Sequence, residues 1–153
     1  HVMTKVIKDI DELKGLIGSE LGVSDWHQID QAQINLFADA TGDHQWIHVD
    51  EEKAKGFVGS TIAHGYLTLS LLPMLTGSMY YLEGVTRGIN YGANKIRFTN
   101  MVPVNSKVRA RSVLKDVQEK GGGIQVTNEV TMEIDGQDRP AMVAETLTIL
   151  YVG

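Results

Sequence analysis

Residues 62–79 constrain the fold more than any other stretch of this chain. Ala63, Gly65, Leu67, Leu69, Leu71, Leu72, Met74 and Leu75 follow one another there with no Asp, Glu, Lys or Arg between them. Such a run reads as a helix, and a helix greasy on nearly all sides must be buried on nearly all sides. It is shorter than the roughly 20 apolar residues of a membrane span and is broken by Pro73, so no span is expected. The rest of the chain must therefore wrap one buried helix.

The second half supplies the wrapping. Residues 89–98, 107–117, 124–134 and 141–152 are rich in Val, Thr and Ile, and one of them alternates cleanly: Val108, Ala110, Ser112 and Leu114 oppose Lys107, Arg109 and Arg111. Turn residues separate these runs, at Pro103-Val104-Asn105, in the glycine-rich residues 119–123 and around Asp135-Gly136. No connection has room for a helical crossover, which predicts an antiparallel meander.

Ahead of the apolar run the pattern is helical. An amphipathic helix is expected over residues 7–17, ending near Gly18, and a strand over residues 24–29. Asp30 with Gln33 three positions on reads as a capping box for a helix that carries Ile34, Leu36, Phe37 and Ala40 and stops near Gly42. Residues 41–48 read as a loop. Asp50 caps a further helix whose first turn holds Glu51 and Glu52, as the helix dipole favours. The sum is an α+β single domain over residues 4–153, an antiparallel β-sheet wrapped around a long central helix, with residues 1–3 read as a remnant ahead of the native start.

Composition excludes several function classes. With 153 residues, 42% hydrophobic and 22% charged, the chain has the size and balance of one globular domain. A net charge of −5 argues against nucleic acid as the main partner, because phosphate binding wants a basic face. A local basic patch for a phosphorylated ligand stays open. There is no cysteine, hence no disulfide, no thiolate nucleophile and no cysteine metal site. That fits a reducing cytosol, and a cytoplasmic location is expected.

Two short motifs carry chemistry. Residues 37–50 pack Asp43, His44 and His48 beside Trp46, and His64-Gly65 opens the apolar helix. Adding water to the double bond of an enoyl thioester needs a base for the water, an acid for the α-carbon and a donor for the thioester oxygen. A carboxylate and an imidazole can share one water. The unsatisfied N–H groups of a helix start can meet the oxygen, and a glycine there admits the thioester. No cofactor and no metal is required.

These residues resemble the hot-dog-fold hydratase-dehydratase family of MaoC-like proteins and R-specific enoyl-CoA hydratases. The family pattern is an aromatic residue, then small, Gly, Asp, any, Asn, Pro, aliphatic, His, and a small residue six positions on. Phe37, Thr41, Gly42, Asp43, Ile47, His48 and Ala54 match it, as does the later His64-Gly65. The family's Asn-Pro is Gln45-Trp46 here, a pattern that is similar to the nodulation protein N-like branch. The resemblance implies a hot-dog fold and (R)-specific hydration of trans-2-enoyl-CoA, with the reverse dehydration. Asp43 and His48 would be the catalytic pair, with Asp43 buried, and the Gly65 N–H the oxyanion donor. Gln45, Trp46, His64, Tyr66 and Asn90 are expected to meet substrate. The partners would be an acyl-CoA or acyl-carrier-protein thioester and a second copy in a homodimer.

Plainer readings stand beside these. Asp43 also reads as a turn residue or cap, His48 as a satisfied loop histidine, and His64 as a structural hydrogen-bonding group at the helix start. His44 is expected to be exposed. Trp46, Tyr66 and Phe57 suit a core or an acyl tunnel, and Lys95, Arg97, Arg109 and Arg111 a solvated face. The alternating His44-Gln45-Trp46-Ile47-His48 lacks the glutamate and third ligand of a zinc helix, so no metal site is expected. A hot-dog acyl-CoA thioesterase and a non-catalytic acyl-thioester binding module are the rival functions.

Overall fold

The computed structural model describes residues 3–153; the reading of His1 and Val2 as a remnant lies outside the described residues. The element order is β1 (Lys5–Ile7), α1 (Ile10–Lys14), β2 (Glu20–Val23), β3 (His27–Gln28), α2 (Gln31–Thr41), α3 (Trp46–Val49), α4 (Glu51–Val58), α5 (Gly65–Ser70), α6 (Leu72–Thr76), β4 (Tyr80–Leu82), β5 (Val85–Phe98), β6 (Lys107–Lys120), β7 (Gly123–Ile134) and β8 (Met142–Val152).

The four long strands and the short β2 form the predicted antiparallel sheet in the order β2-β6-β7-β8-β5, with β3 beside β6. The β6–β7 hairpin turns through Gly121 and Gly122, both at positive φ (60° and 81°), where glycine avoids a Cβ clash. Alternation on β6 holds: Val108, Ala110, Ser112 and Leu114 point inward. Arg109 and Arg111 face out and pair with Glu133 (2.7 Å) and Glu20 (2.6 Å). Lys95 and Arg97 are likewise exposed on β5.

The inner face of the sheet covers the apolar helix. Leu67, Leu71, Leu72 and Leu75 pack against Val108, Ala110, Val130, Met132, Met142 and Ala144 in one core, while Ile7, Leu13, Leu21, Leu114 and Val126 form a second. Burying each such leucine contributes about 2 kcal/mol, so this face dominates the choice of fold.

Several expectations are corrected. The apolar run is not one helix over 62–79. Residues 62–64 are extended, because Ala63 N–H donates to the Val102 carbonyl and Ile62 bridges Pro103. The helical part divides at Leu71 into α5 and α6, with Pro73 in the first turn of α6, where its missing N–H costs nothing. Its burial is incomplete: Tyr66 and Met74 are exposed. The helix expected over 7–17 shrinks to α1, since Asp9 accepts from Glu12 N–H and starts the helix at Ile10, while Ile7 lies in β1, paired with β4. The strand expected over 24–29 shrinks to β3, His27–Gln28. Ser24 Oγ accepts from Ala110 N–H and so replaces a ladder bond. The capping box is half formed: Asp30 accepts from Gln33 N–H at 2.9 Å, but Gln33 Oε1 bonds His27 instead. The small parallel sheet β1–β4 has no counterpart in the expectations.

Candidate active site

Three chain segments converge on the site. The first is the C-terminus of α2, where Gly42 closes the helix at φ 82° and its N–H returns to the Ala38 carbonyl. The next residue, Asp43, therefore leaves the helix sharply, and its carboxylate accepts from Gln45 N–H at 3.3 Å. The second is α3. The loop expected over 41–48 closes into one helical turn, as His48 N–H reaches Gln45 O (3.0 Å) and Asp50 N–H reaches Trp46 O (2.9 Å). That turn aims His48 inward and buries it. The third is the extended stretch before α5, which brings His64 and Gly65 alongside.

His48 Nδ1 donates to the Ile62 carbonyl at 2.7 Å, which leaves Nε2 with its lone pair. His64 uses its other nitrogen: Nε2 donates to the Asp43 carbonyl at 3.0 Å, and the buried Nδ1 has no protein partner. The two imidazoles stack with centroids 3.9 Å apart, and Phe37 packs on His64 from another side at 4.9 Å. Burial pushes the His48 imidazole below its ordinary range; the Ile62 hydrogen bond opposes this, the neighbouring His64 adds to it, and Asp43 opposes it. His48 is thus a neutral base at neutral pH. Asp43, expected to be buried, is exposed in the single chain, because the turn after Gly42 carries it to the rim.

Asp43, His48 and His64 each offer one ligand atom within 4.8 Å of the others, so the trio is the place where a cation could sit. The arrangement suits a water held between a carboxylate and an imidazole.

A cavity of about 370 Å³ opens beside His48 and Gly65, lined also by Thr68, Phe98, Asn100 and Arg139. The Cα of Gly65 faces the Phe98 ring, and a Cβ there would lie 3.0 Å from it. A second cavity of about 410 Å³ lies between α5–α6 and the β5–β8 strands, with Leu69, Pro73, Asn90, Ile96 and Thr148 in its wall.

The structure brings together Asp43, His48, His64 and Gly65. Asn90 belongs to the second cavity. Tyr66 stands on the exposed face, edge-on to Phe98 at 5.7 Å. Gln45 is exposed, and Trp46 packs against Phe57 (5.3 Å) with Lys53 Nζ 4.6 Å from its ring, engaged by α4. His44 is exposed and bonds Asp39 at 2.9 Å. Sequence reasoning missed Gln31, whose amide ties α2 to the His48 carbonyl (2.8 Å) and to the Thr61 hydroxyl (2.5 Å). Nothing in the residue pattern announces such long-range bonds.

Known proteins resemble this chain in sequence and in fold. The MaoC like domain family matches residues 12–134. The chain belongs to that family. Among curated MaoC-like relatives, the 3-hydroxyacyl-thioester dehydratase Z of Mycobacterium tuberculosis is 50% identical over 150 residues, covering 97% of this chain and 99% of that protein. Nodulation protein N of Rhizobium leguminosarum bv. viciae is 49% identical over 138 residues, covering 88% and 86%. The R-hydratase PhaJ1 from Pseudomonas aeruginosa superposes with a TM-score of 0.69 at 20% identity, covering 90% of this chain and 83% of that one, which establishes the shared hot-dog fold. Among the described residues, no helix is long and apolar enough to cross a membrane.

Proposed function

We propose that this MaoC-like protein hydrates trans-2-enoyl thioesters to (3R)-3-hydroxyacyl thioesters, and dehydrates them in reverse. The observation that carries this reading is a buried His48 whose Nδ1 donates to the Ile62 carbonyl and which has a ring nitrogen within 4.8 Å of a carboxylate oxygen of Asp43. The half-identical mycobacterial relative, named a 3-hydroxyacyl-thioester dehydratase, supports it.

In the hydration direction a water sits between Asp43 and His48. As its oxygen bonds the β-carbon, one proton passes to Nε2, and the imidazolium then gives that proton to the α-carbon. Asp43 orients the water and stabilises the transient imidazolium. Both parts of one water reach the same face, which gives a syn addition. The Gly65 N–H, in the first turn of α5 where no intrahelical acceptor exists, receives the charge that builds on the thioester oxygen. The enzyme works without metal or organic cofactor. Residues 4–153 act as one domain, in the cytoplasm, on a coenzyme A or acyl-carrier-protein thioester. Of the remaining substrate contacts, Asn90 meets the acyl chain in the cavity beside α6, His64 backs the reacting centre against His48, and Gln45, Trp46 and Tyr66 border the entrance.

The protein functions as a homodimer. β5 is an edge strand with unpaired backbone groups along one side, and Ile89, Tyr91 and Phe98 on it are exposed; a second copy would cover both.

The test is the ultraviolet absorbance of crotonyl-CoA. Wild type should remove it, and Asp43→Asn should be slower by roughly a hundred- to ten-thousandfold while keeping the wild-type circular dichroism. Because cleaving the thioester also destroys the conjugated enoyl-thioester chromophore, free thiol released in step with the fall in absorbance would replace this reading with a thioesterase. Binding with neither change would replace it with a binding module.

A further inference from the structure

Gln31, the first residue of α2, is held by three groups at once. Its Oε1 accepts the Thr61 hydroxyl at 2.5 Å, and its Nε2 donates to the His48 carbonyl at 2.8 Å and to Asn35 Oδ1 at 3.0 Å. The two long-range bonds grip opposite sides of one small structure. The His48 carbonyl belongs to the turn that carries the imidazole. Thr61 precedes Ile62, whose carbonyl takes the imidazole Nδ1–H, and Ile62 N–H returns to the Ile47 carbonyl at 3.1 Å. Thr61 is 2% exposed, so its hydroxyl has no water to turn to if the amide is lost.

We infer that Gln31 is a positioning residue for the hydration reaction: by clamping the His48 turn to the Thr61–Ile62 strand it fixes the imidazole in the Nδ1–H form that leaves Nε2 free. The inference rests on the role proposed above for His48. The clamp needs one acceptor and one donor on one planar group, which an amide provides. A carboxylate supplies acceptors only, and a thioether at most a weak one. If the clamp loosens, the Ile62 carbonyl drifts from Nδ1 and the proton can settle on either nitrogen. A ring with Nε2 protonated cannot accept from water, and a misplacement of about 1 Å alone slows such a reaction by up to roughly a hundredfold.

The experiment compares wild type with Gln31→Glu and Gln31→Met, which keep the length of the side chain. Two readouts are taken: steady-state hydration of crotonyl-CoA, and the ¹⁵N resonances of the His48 ring, assigned by their loss in His48→Gln. Wild type is expected to show the Nδ1–H tautomer. Both variants should show a mixture or the Nε2–H form, with kcat lowered roughly ten- to a hundredfold and KM little changed. A merely structural residue would lower the melting temperature without altering the tautomer. An unchanged tautomer in folded variants overturns the inference, whatever their rates. If neither Gln31 variant folds, Thr61→Val decides in their place: a shifted tautomer supports the clamp and an unshifted one overturns it. Wild type that fails to hydrate would sink the proposed reaction but leave the tautomer readout intact, so the two failures are separable.

Discussion

His48 donates one ring proton to a backbone carbonyl and is desolvated by its surroundings, and both facts govern how the site responds to acid. In the folded protein its pKa lies below the ordinary 6.5 that it regains on unfolding. As pH falls through 6.5 the unfolded chain binds the proton first, so this group withdraws stability between 6.5 and its lower folded value and has no effect well above 6.5. The acid limb of kcat/KM should accordingly lie below pH 6.5, measurable from a pH series with crotonyl-CoA; a limb above 6.5 would contradict a neutral buried base. His48→Gln should also lessen the loss of thermal stability on acidification. That Asp43, His48 and His64-Gly65 come together was legible in the motifs that hold them, whereas the exposure of Asp43 was not, because it depends on the turn after Gly42. The Ile62 carbonyl and the Gln31 amide were not, since each acts through a partner 14 to 30 residues away.

Gly65 opens α5 directly beneath β5. A Cβ would lie 3.0 Å from Phe98 ring carbons, so Gly65→Ala forces the ring or the helix start aside. The expected penalty is about 1–3 kcal/mol in urea unfolding, together with a loss of hydration rate because the N–H at the helix start shifts. Phe98→Leu combined with Gly65→Ala should recover part of both, and additive losses would show that the contact is not the cause. At the same scale, Asp30→Ala removes the cap of α2, the helix that delivers Asp43. It should lower stability by about 1 kcal/mol and leave the tautomer of His48 intact. Elements were readable where periodicity was sustained, as in β6, β7 and β8. They were not where a tertiary bond overrode it. Ala63 N–H joins Val102 instead of a helix, and β1 and β4 are three residues each, meaningful only when paired with each other across the chain.

For the molecule as a whole, the open side of β5 is the feature most in need of a partner. Sedimentation equilibrium should report a dimer of the 16.8 kDa chain. Introducing Lys at both Ile89 and Tyr91 should shift it toward monomer, and a monomeric wild type would remove the proposed role of that edge. The overall architecture was foreseeable because a charge-free run and four long strands leave few other ways to bury that run. Sheet order was less so: β5 bonds not to its successor β6 but to β8, with Val85 opposite Val152. That pairing sets a schedule for biosynthesis. Emerging from the ribosome, β5 must wait for β8 before its ladder can form, while β6 and β7 can already close on the apolar helices, so β5 is the long strand left unpaired longest and most open to pairing with another chain.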